Sequence, residues 1–144
     1  MGLLSRVDPA GELSRSADKI SYPVEDSACT NQPVSGKASC SKNYIARFEL
    51  KNEAGQITKV ILTGVHFASR TSDVNVCARR EGQAAVVKGA VREEVHREPA
   101  KVIILGDMND IDNELESAET ERSISNVLGI LKSTTSRFKD QDLM

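Results

Sequence analysis

Tryptophan is absent from this chain of 144 residues, and three Phe and two Tyr bring aromatics to only 3%. Hydrophobic residues still make up 39% and charged residues 28%. This is a globular composition lean in aromatics, neither disordered nor fibrous. No apolar run approaches the ~18 residues that a membrane span needs. An excess of positive charge is lacking too. The formal net charge is −2, so any nucleic-acid contact must come from a local patch or through metal ions. Cysteine occurs three times, at positions 29, 40 and 77, with no CxxC spacing, which removes support for a zinc or thioredoxin-like site. Cys29 and Cys40 flank a loop-like stretch and are placed to close a short disulfide; three reduced structural cysteines are the alternative. Met1-Gly2-Leu3-Leu4-Ser5-Arg6 turns polar too early for a signal peptide, and Arg6 stands where a myristoylation site requires Ser or Thr. The compartment stays open. The length suits one domain of ~100–200 residues, in which roughly two-thirds of the unfolded surface is buried.

What is present is organised unevenly. Gly2-Leu3-Leu4-Ser5 reads as the end of a buried strand. Residues Arg6 to Lys42 have almost no periodicity and carry Pro9, Gly11, Pro23, Pro33 and Gly36, so a long irregular region is expected. Tyr44 to Leu50 alternates, with Ala46, Phe48 and Leu50 on one face. Residues 51–56 form a turn, and Ile57 to Phe67 is rich in β-branched residues; the two runs predict a hairpin. From about Cys77 to His96, Ala84, Val87, Val91 and Val95 recur at helical spacing, with Gly82 costing about 1 kcal/mol relative to Ala. Pro99 ends that helix. Lys101-Val102-Ile103-Ile104-Leu105-Gly106 is a short apolar run suited to a strand covered on both faces. Ile124, Val127, Leu128 and Leu131 predict a last helix.

A strand, a helix and a second strand in that order form a βαβ unit when the strands share a sheet. Ligands of such sheets bind beyond the carboxyl ends of the strands. His66 lies at the end of the first strand; Asp107 and Asn109 follow the end of the second. An imidazole, a carboxylate and a carboxamide at one rim suit metal-assisted phosphate chemistry. The carboxylate binds a cation or orients water, the carboxamide holds a phosphoryl oxygen, and the histidine donates to developing negative charge. An ordinary Asp-x-Asn turn and a structural histidine at a strand end account for the same residues without chemistry. Asp110 and Asp112 either add metal affinity or cap and face water. Arg79 and Arg80 read as a solvated helix face or an internal salt bridge rather than a phosphate patch.

At these residues the sequence resembles the endonuclease/exonuclease/phosphatase superfamily. Gly2-Leu3-Leu4-Ser5-Arg6 looks like its "LLSR" strand end and Gly64-Val65-His66-Phe67 like its "VHL" strand end. Arg80-Glu81-Gly82-Gln83-Ala84 is similar to its "REAQA" helix start, and Gly106-Asp107-Met108-Asn109-Asp110 to its "GDxND" signature. Ser125-Asn126-Val127-Leu128 resembles a segment that follows the signature. The resemblance implies an α/β fold that is part of a two-sheet mixed β-sandwich flanked by helices. It implies a divalent-metal-dependent phosphoester hydrolase, most nearly a nuclease-like phosphodiesterase, with a lipid or inositol phosphodiesterase or phosphatase as the second choice. Asp107 corresponds to the aspartate that orients the attacking water and touches the metal, Asn109 to the asparagine that positions the scissile phosphate, and His66 to the strand histidine that approaches it. Lys42 corresponds to a basic substrate contact in deoxyribonuclease-like members. The cofactor implied is Mg2+, or another hard divalent cation such as Ca2+ or Mn2+; the partner implied is a phosphoester substrate, with nucleic acid the leading example.

The family pattern also contains metal-binding Asn and Glu residues upstream of "LLSR" and a terminal Asp-His pair. Neither is matched here: the only histidines are His66 and His96, and Glu12, Glu25 and Asp26 sit outside the expected motif. The expectation is a partial domain spanning residues 1–144. A catalytically inactive remnant or binding fragment is the reading from another functional class, because uncovered sheet edges and apolar faces favour association.

Overall fold

In a computed structural model the chain is an α/β protein, described here for residues 3–29, 35–70, 73–110 and 125–136. The elements run β1 (Ile20–Tyr22), β2 (Gly36–Ala38), β3 (Asn43–Lys51), β4 (Ile57–His66), α1 (Val74–Arg97), β5 (Lys101–Asp107) and α2 (Val127–Ser136). Strands β3, β4 and β5 form one mixed sheet in that order, and β1 and β2 form a separate two-stranded sheet. The hairpin predicted from alternation is present. β3 and β4 pair antiparallel from Asn43↔Val65 to Lys51↔Ile57, closed by a turn in which Asn52 accepts from the Gln56 N–H through its side chain and Gly55 takes φ +80°, a conformation that glycine adopts without a Cβ clash. The predicted βαβ unit is present as well: β4 and β5 are parallel, in register from Val60↔Lys101 to His66↔Asp107, with α1 as the crossover.

Helix α1 starts three residues earlier than its apolar stripe alone suggests. The Asp73 side chain caps it by accepting from the Asn75 N–H, satisfying one of the orphan donors of the first turn. The stripe Ala84, Val87, Val91, Val95 packs on Ile45, Ile61, Val65 and Phe67 of the hairpin, and α2 adds Val127, Ile130 and Leu131 to the same core. A Cβ at Gly82 would lie 2.7 Å from the Ala38 Cβ and 3.4 Å from that of Tyr22. The glycine in mid-helix is thus what lets the small β1–β2 sheet approach α1, and this close contact offsets its low helix propensity. On the opposite face of the main sheet Ala46, Phe48 and Val60 make a smaller cluster, with Leu3 and Leu62 against it.

Three sequence-based expectations are corrected. Residues 3–5 do not form a strand end: Leu4 is fully exposed, and Ser5 bonds locally to Val7. The edge of β3 beside them is already occupied, since the Ala10 N–H donates to the Arg47 carbonyl and Ser14 bridges Ile45 in both directions. The described residues of the stretch 6–42 are irregular, as expected, except for β1 and β2, which lean on α1 and are too short to show periodicity. The disulfide joins Cys29 to Cys77, 48 residues apart, rather than to Cys40. Cys40 is instead a buried free thiol, and burial pushes it up to about 11. Ile124 and Asp112, named above for the last helix and the metal, lie outside the described residues.

Candidate active site

The carboxyl ends of β4 and β5 stop side by side, and this register assembles the candidate rim. His66 stands directly across from Asp107, with Nε2 3.9 Å from Oδ2 and the two side chains 41% and 63% exposed. The Asp107 carbonyl accepts from the Phe67 N–H, carrying the parallel ladder one residue past β4. Gly106 lies in the left-handed region, φ +133°, where a Cβ would come 1.9 Å from the Val65 carbonyl oxygen. Only glycine lets the strand turn out so close to its neighbour.

Asn109 also has positive φ, +48°, which Asn tolerates better than most residues. Two bonds hold it there. Its N–H donates to Asp107 Oδ1 at 3.0 Å, an Asx turn, and its Nδ2 donates to the Phe67 carbonyl at 2.9 Å. Among the described residues the second N–H of the carboxamide and its oxygen have no hydrogen-bond partner. Asp107 keeps Oδ2 turned toward His66, while Oδ1 orders the loop. Lys42 is exposed, and its carbonyl accepts from the His66 N–H at 3.0 Å. All four residues singled out from sequence, Lys42, His66, Asp107 and Asn109, therefore come from segments that meet at one end of the sheet.

Behind the rim lies a buried polar layer. Gln83 accepts from the Ala68 N–H at 2.7 Å and donates to the Ser39 carbonyl at 3.1 Å. Arg80 is fully buried, which overturns the solvated helix face expected as one alternative for it. Its guanidinium donates to the Ala68 carbonyl and to the Ser125 hydroxyl, and that hydroxyl donates to Asp110 Oδ1 at 2.7 Å. Burial lowers the Arg80 pKa, while the charges of Asp110 and Glu81 act in the opposite sense. Arg80 and Gln83 thus grip the backbone just beyond His66 and Phe67, and Arg80 reaches through Ser125 the loop that carries Asp107 and Asn109. Arg79, by contrast, is exposed. The signal for Arg80 was present: counting back four residues from Ala84 and three more to Cys77 keeps it on the buried stripe.

Glu81 faces the other way and is equally buried. Its carboxylate accepts from the Ser27 hydroxyl, from the Ala28 N–H at 3.0 Å and from the Asn126 N–H at 2.7 Å. Beside it, Cys29, Cys77 and Glu81 bring their ligand atoms within 4.8 Å of one another. This group does not suit a cation, because the sulfurs are bonded to each other and the carboxylate oxygens are already taken. Asp107 is the better fit for a hard divalent ion by donor chemistry, because its carboxylate is exposed. A cavity of about 70 Å3 at the other end of the sheet is lined by Arg47, Lys59 and Glu98 among others. Its charges are paired with one another, so it is a salt-bridged seam.

Among the described residues no helix is long and apolar enough to cross a membrane. Comparison with protein-family models, with curated proteins and with solved structures finds no match for this chain.

Proposed function

We propose that the chain carries part of the active site of a divalent-metal-dependent phosphoester hydrolase, most nearly a nuclease-like phosphodiesterase. In this reading its main sheet is one layer of a two-sheet sandwich of the endonuclease/exonuclease/phosphatase type. One observation carries the reading: His66 and Asp107 are opposite each other at the carboxyl ends of two parallel strands, exposed, with Asn109 fixed beside them by two hydrogen bonds. Asp107 would hold Mg2+ or a similar cation, which when bound supplies Lewis-acid stabilisation of a phosphoryl oxygen. Asp107 also orients water, since its Oδ2 is not needed for the turn. Asn109 directs its remaining N–H toward a non-bridging phosphate oxygen. His66 donates from Nε2 to the negative charge that develops on phosphorus-bound oxygen. Lys42 adds positive charge on the approach to the rim.

The test is nicking of supercoiled plasmid by the purified chain with Mg2+, Mn2+ or Ca2+. Asp107→Ala should lower the rate by at least about 100-fold. An unchanged rate in that variant refutes the site, and no nicking with any of the metals refutes independent activity. A second reading, a non-catalytic binding module, is favoured by a different observation: Ile103 and Leu105 of β5 are 48% and 41% exposed on the face opposite α1, an apolar patch suited to a partner.

A further inference from the structure

The outer edge of β5 has no strand beside it among the described residues. Within this sheet β3 and β4 are paired on both sides, β3 by residues 10–14, so among the described residues β5 is the strand of this sheet with an unpaired edge. An open edge rich in β-branched residues is a template for another strand. We infer that β5 pairs antiparallel with β5 of a second copy of this chain, giving a two-fold symmetric dimer with one continuous sheet centred on Ile104. This inference does not rest on the hydrolytic reading.

Backbone direction comes first. Asp107 turns its carbonyl toward β4, where it accepts from Phe67. Peptide groups alternate sides along a strand, so Lys101, Ile103 and Leu105 also face β4, and Val102, Ile104 and Gly106 face outward. Antiparallel pairing about Ile104 then sets Ile104 against Ile104 and Val102 against Gly106. Those are the residues with outward N–H and C=O groups, and each such pair exchanges two hydrogen bonds. A register slip of one residue would set outward-facing groups against inward-facing ones and lose the ladder, whereas slips of two keep it and are separated by the side chains.

Side chains agree with the same register. Lys101, Ile103, Leu105 and Asp107 share the face away from α1. Pairing about Ile104 places Lys101 opposite Asp107 of the second copy, twice by symmetry, and Ile103 opposite Leu105, also twice. Both charged groups are exposed, as are both apolar ones. The strand is therefore complementary to its own reverse in charge and in hydrophobicity, as an isologous interface demands. Opposite charges and aliphatic neighbours directly across a sheet are favourable, and like charges there are unfavourable.

The experiment measures the mass of the full chain in solution by light scattering and sedimentation over a range of concentrations. The expected result is a closed dimer, about twice the 15.7 kDa monomer. K101D sets Asp against Asp107, and D107K sets Lys against Lys101. Each should raise the dissociation constant at least about tenfold, and the combined K101D/D107K should restore the wild-type value to within a few-fold. A second measurement reads the register directly. Ile103 and Leu105 of opposite copies form a non-hydrogen-bonded pair, with Cα atoms about 4.5 Å apart. A mixture of I103C and L105C chains should therefore oxidise to a covalent heterodimer at least about tenfold faster than either variant alone. A chain that stays monomeric at all concentrations overturns the inference, as do association that continues past the dimer, single charge variants with no effect, and a double variant no better than the singles. Crosslinking of I103C with itself as fast as in the mixture overturns the proposed register.

Discussion

On the helix side of the β3–β4–β5 sheet, Arg80, Glu81 and Gln83 are buried and engaged on all sides, and a disulfide ties α1 to the segment before β2. On the other side, Ile103 and Leu105 lie open, and the candidate catalytic groups His66 and Asp107 stand exposed at the strand ends. One sheet thus has a face whose polar groups serve stability and a face whose polar groups remain available for chemistry. The contrast suits a rim that must accept a charged ligand and still keep fixed geometry. Asp107 and Asn109 are positioned from behind, through Arg80 and Ser125, by groups that never reach solvent.

The contrast predicts a steep asymmetry in mutational cost. Cleaving the Cys29–Cys77 bond should produce the largest effect. In the chain-entropy account, a loop of 48 residues corresponds to about 4 kcal/mol of stability. Urea unfolding of Cys77→Ser against wild type measures it, and a loss below about 1 kcal/mol would show that the helix side does not depend on the crosslink. Cys40 provides the control. Its thiol, pushed up to about 11 by burial, should stay unreactive to alkylation in the folded chain and react on unfolding.

Glu81→Ala comes next. It leaves the Ser27 hydroxyl and the Ala28 and Asn126 N–H groups without their acceptor, a cost of about 3 kcal/mol at about 1 for each of these three half-buried groups. Substitutions on the open face belong at the other end of the scale. Ile103→Lys should change monomer stability by less than about 0.5 kcal/mol, whatever it does to self-association. Equal losses for Glu81→Ala and Ile103→Lys in the same urea series would abolish the distinction between the faces.

Much of the frame was legible because it obeys local periodicity. The alternation at 44–50, the apolar run at 102–106 and the helical stripe ending in Val95 each report their own element. The convergence of His66 with Asp107 followed from topology alone, since parallel strands joined by a helix end on the same side. The remainder depends on tertiary contacts that leave no local pattern. Residues 27–28 are positioned by a carboxylate more than fifty residues away, β1 and β2 exist because Gly82 lets them approach α1, and Cys29 finds Cys77 because α1 passes that loop. Charge misled in one place: Arg79 and Arg80 together read as a solvated helix face or an internal salt bridge, although the spacing from Cys77 to Ala84 already put Arg80 on the buried side.

The smallest predicted effect tests the far end of the sheet, where the helix-side charges do reach solvent. Lys59 and Glu98 are bonded to each other there, beside Arg47. The hydrogen bond from Lys59 is the main cause that lowers the Glu98 pKa, and the one to Glu98 is the main cause that raises that of Lys59. A carboxylate lowered by folding adds stability above its unfolded pKa, near 4.3, and loses it as pH falls through the folded value; an amine raised by folding adds stability below its unfolded pKa, near 10.4, and loses it as pH rises through the folded value. The pair therefore stabilises between about pH 5 and pH 10 and fades on both sides. Because both groups are solvated, the gain should be small and screened by salt. Melting temperatures of wild type and Lys59→Met, compared at about pH 7 and about pH 3, isolate it: the two proteins should differ slightly at neutral pH and converge in acid. A difference that persists undiminished in acid would assign the effect of Lys59 to the packing of its methylenes.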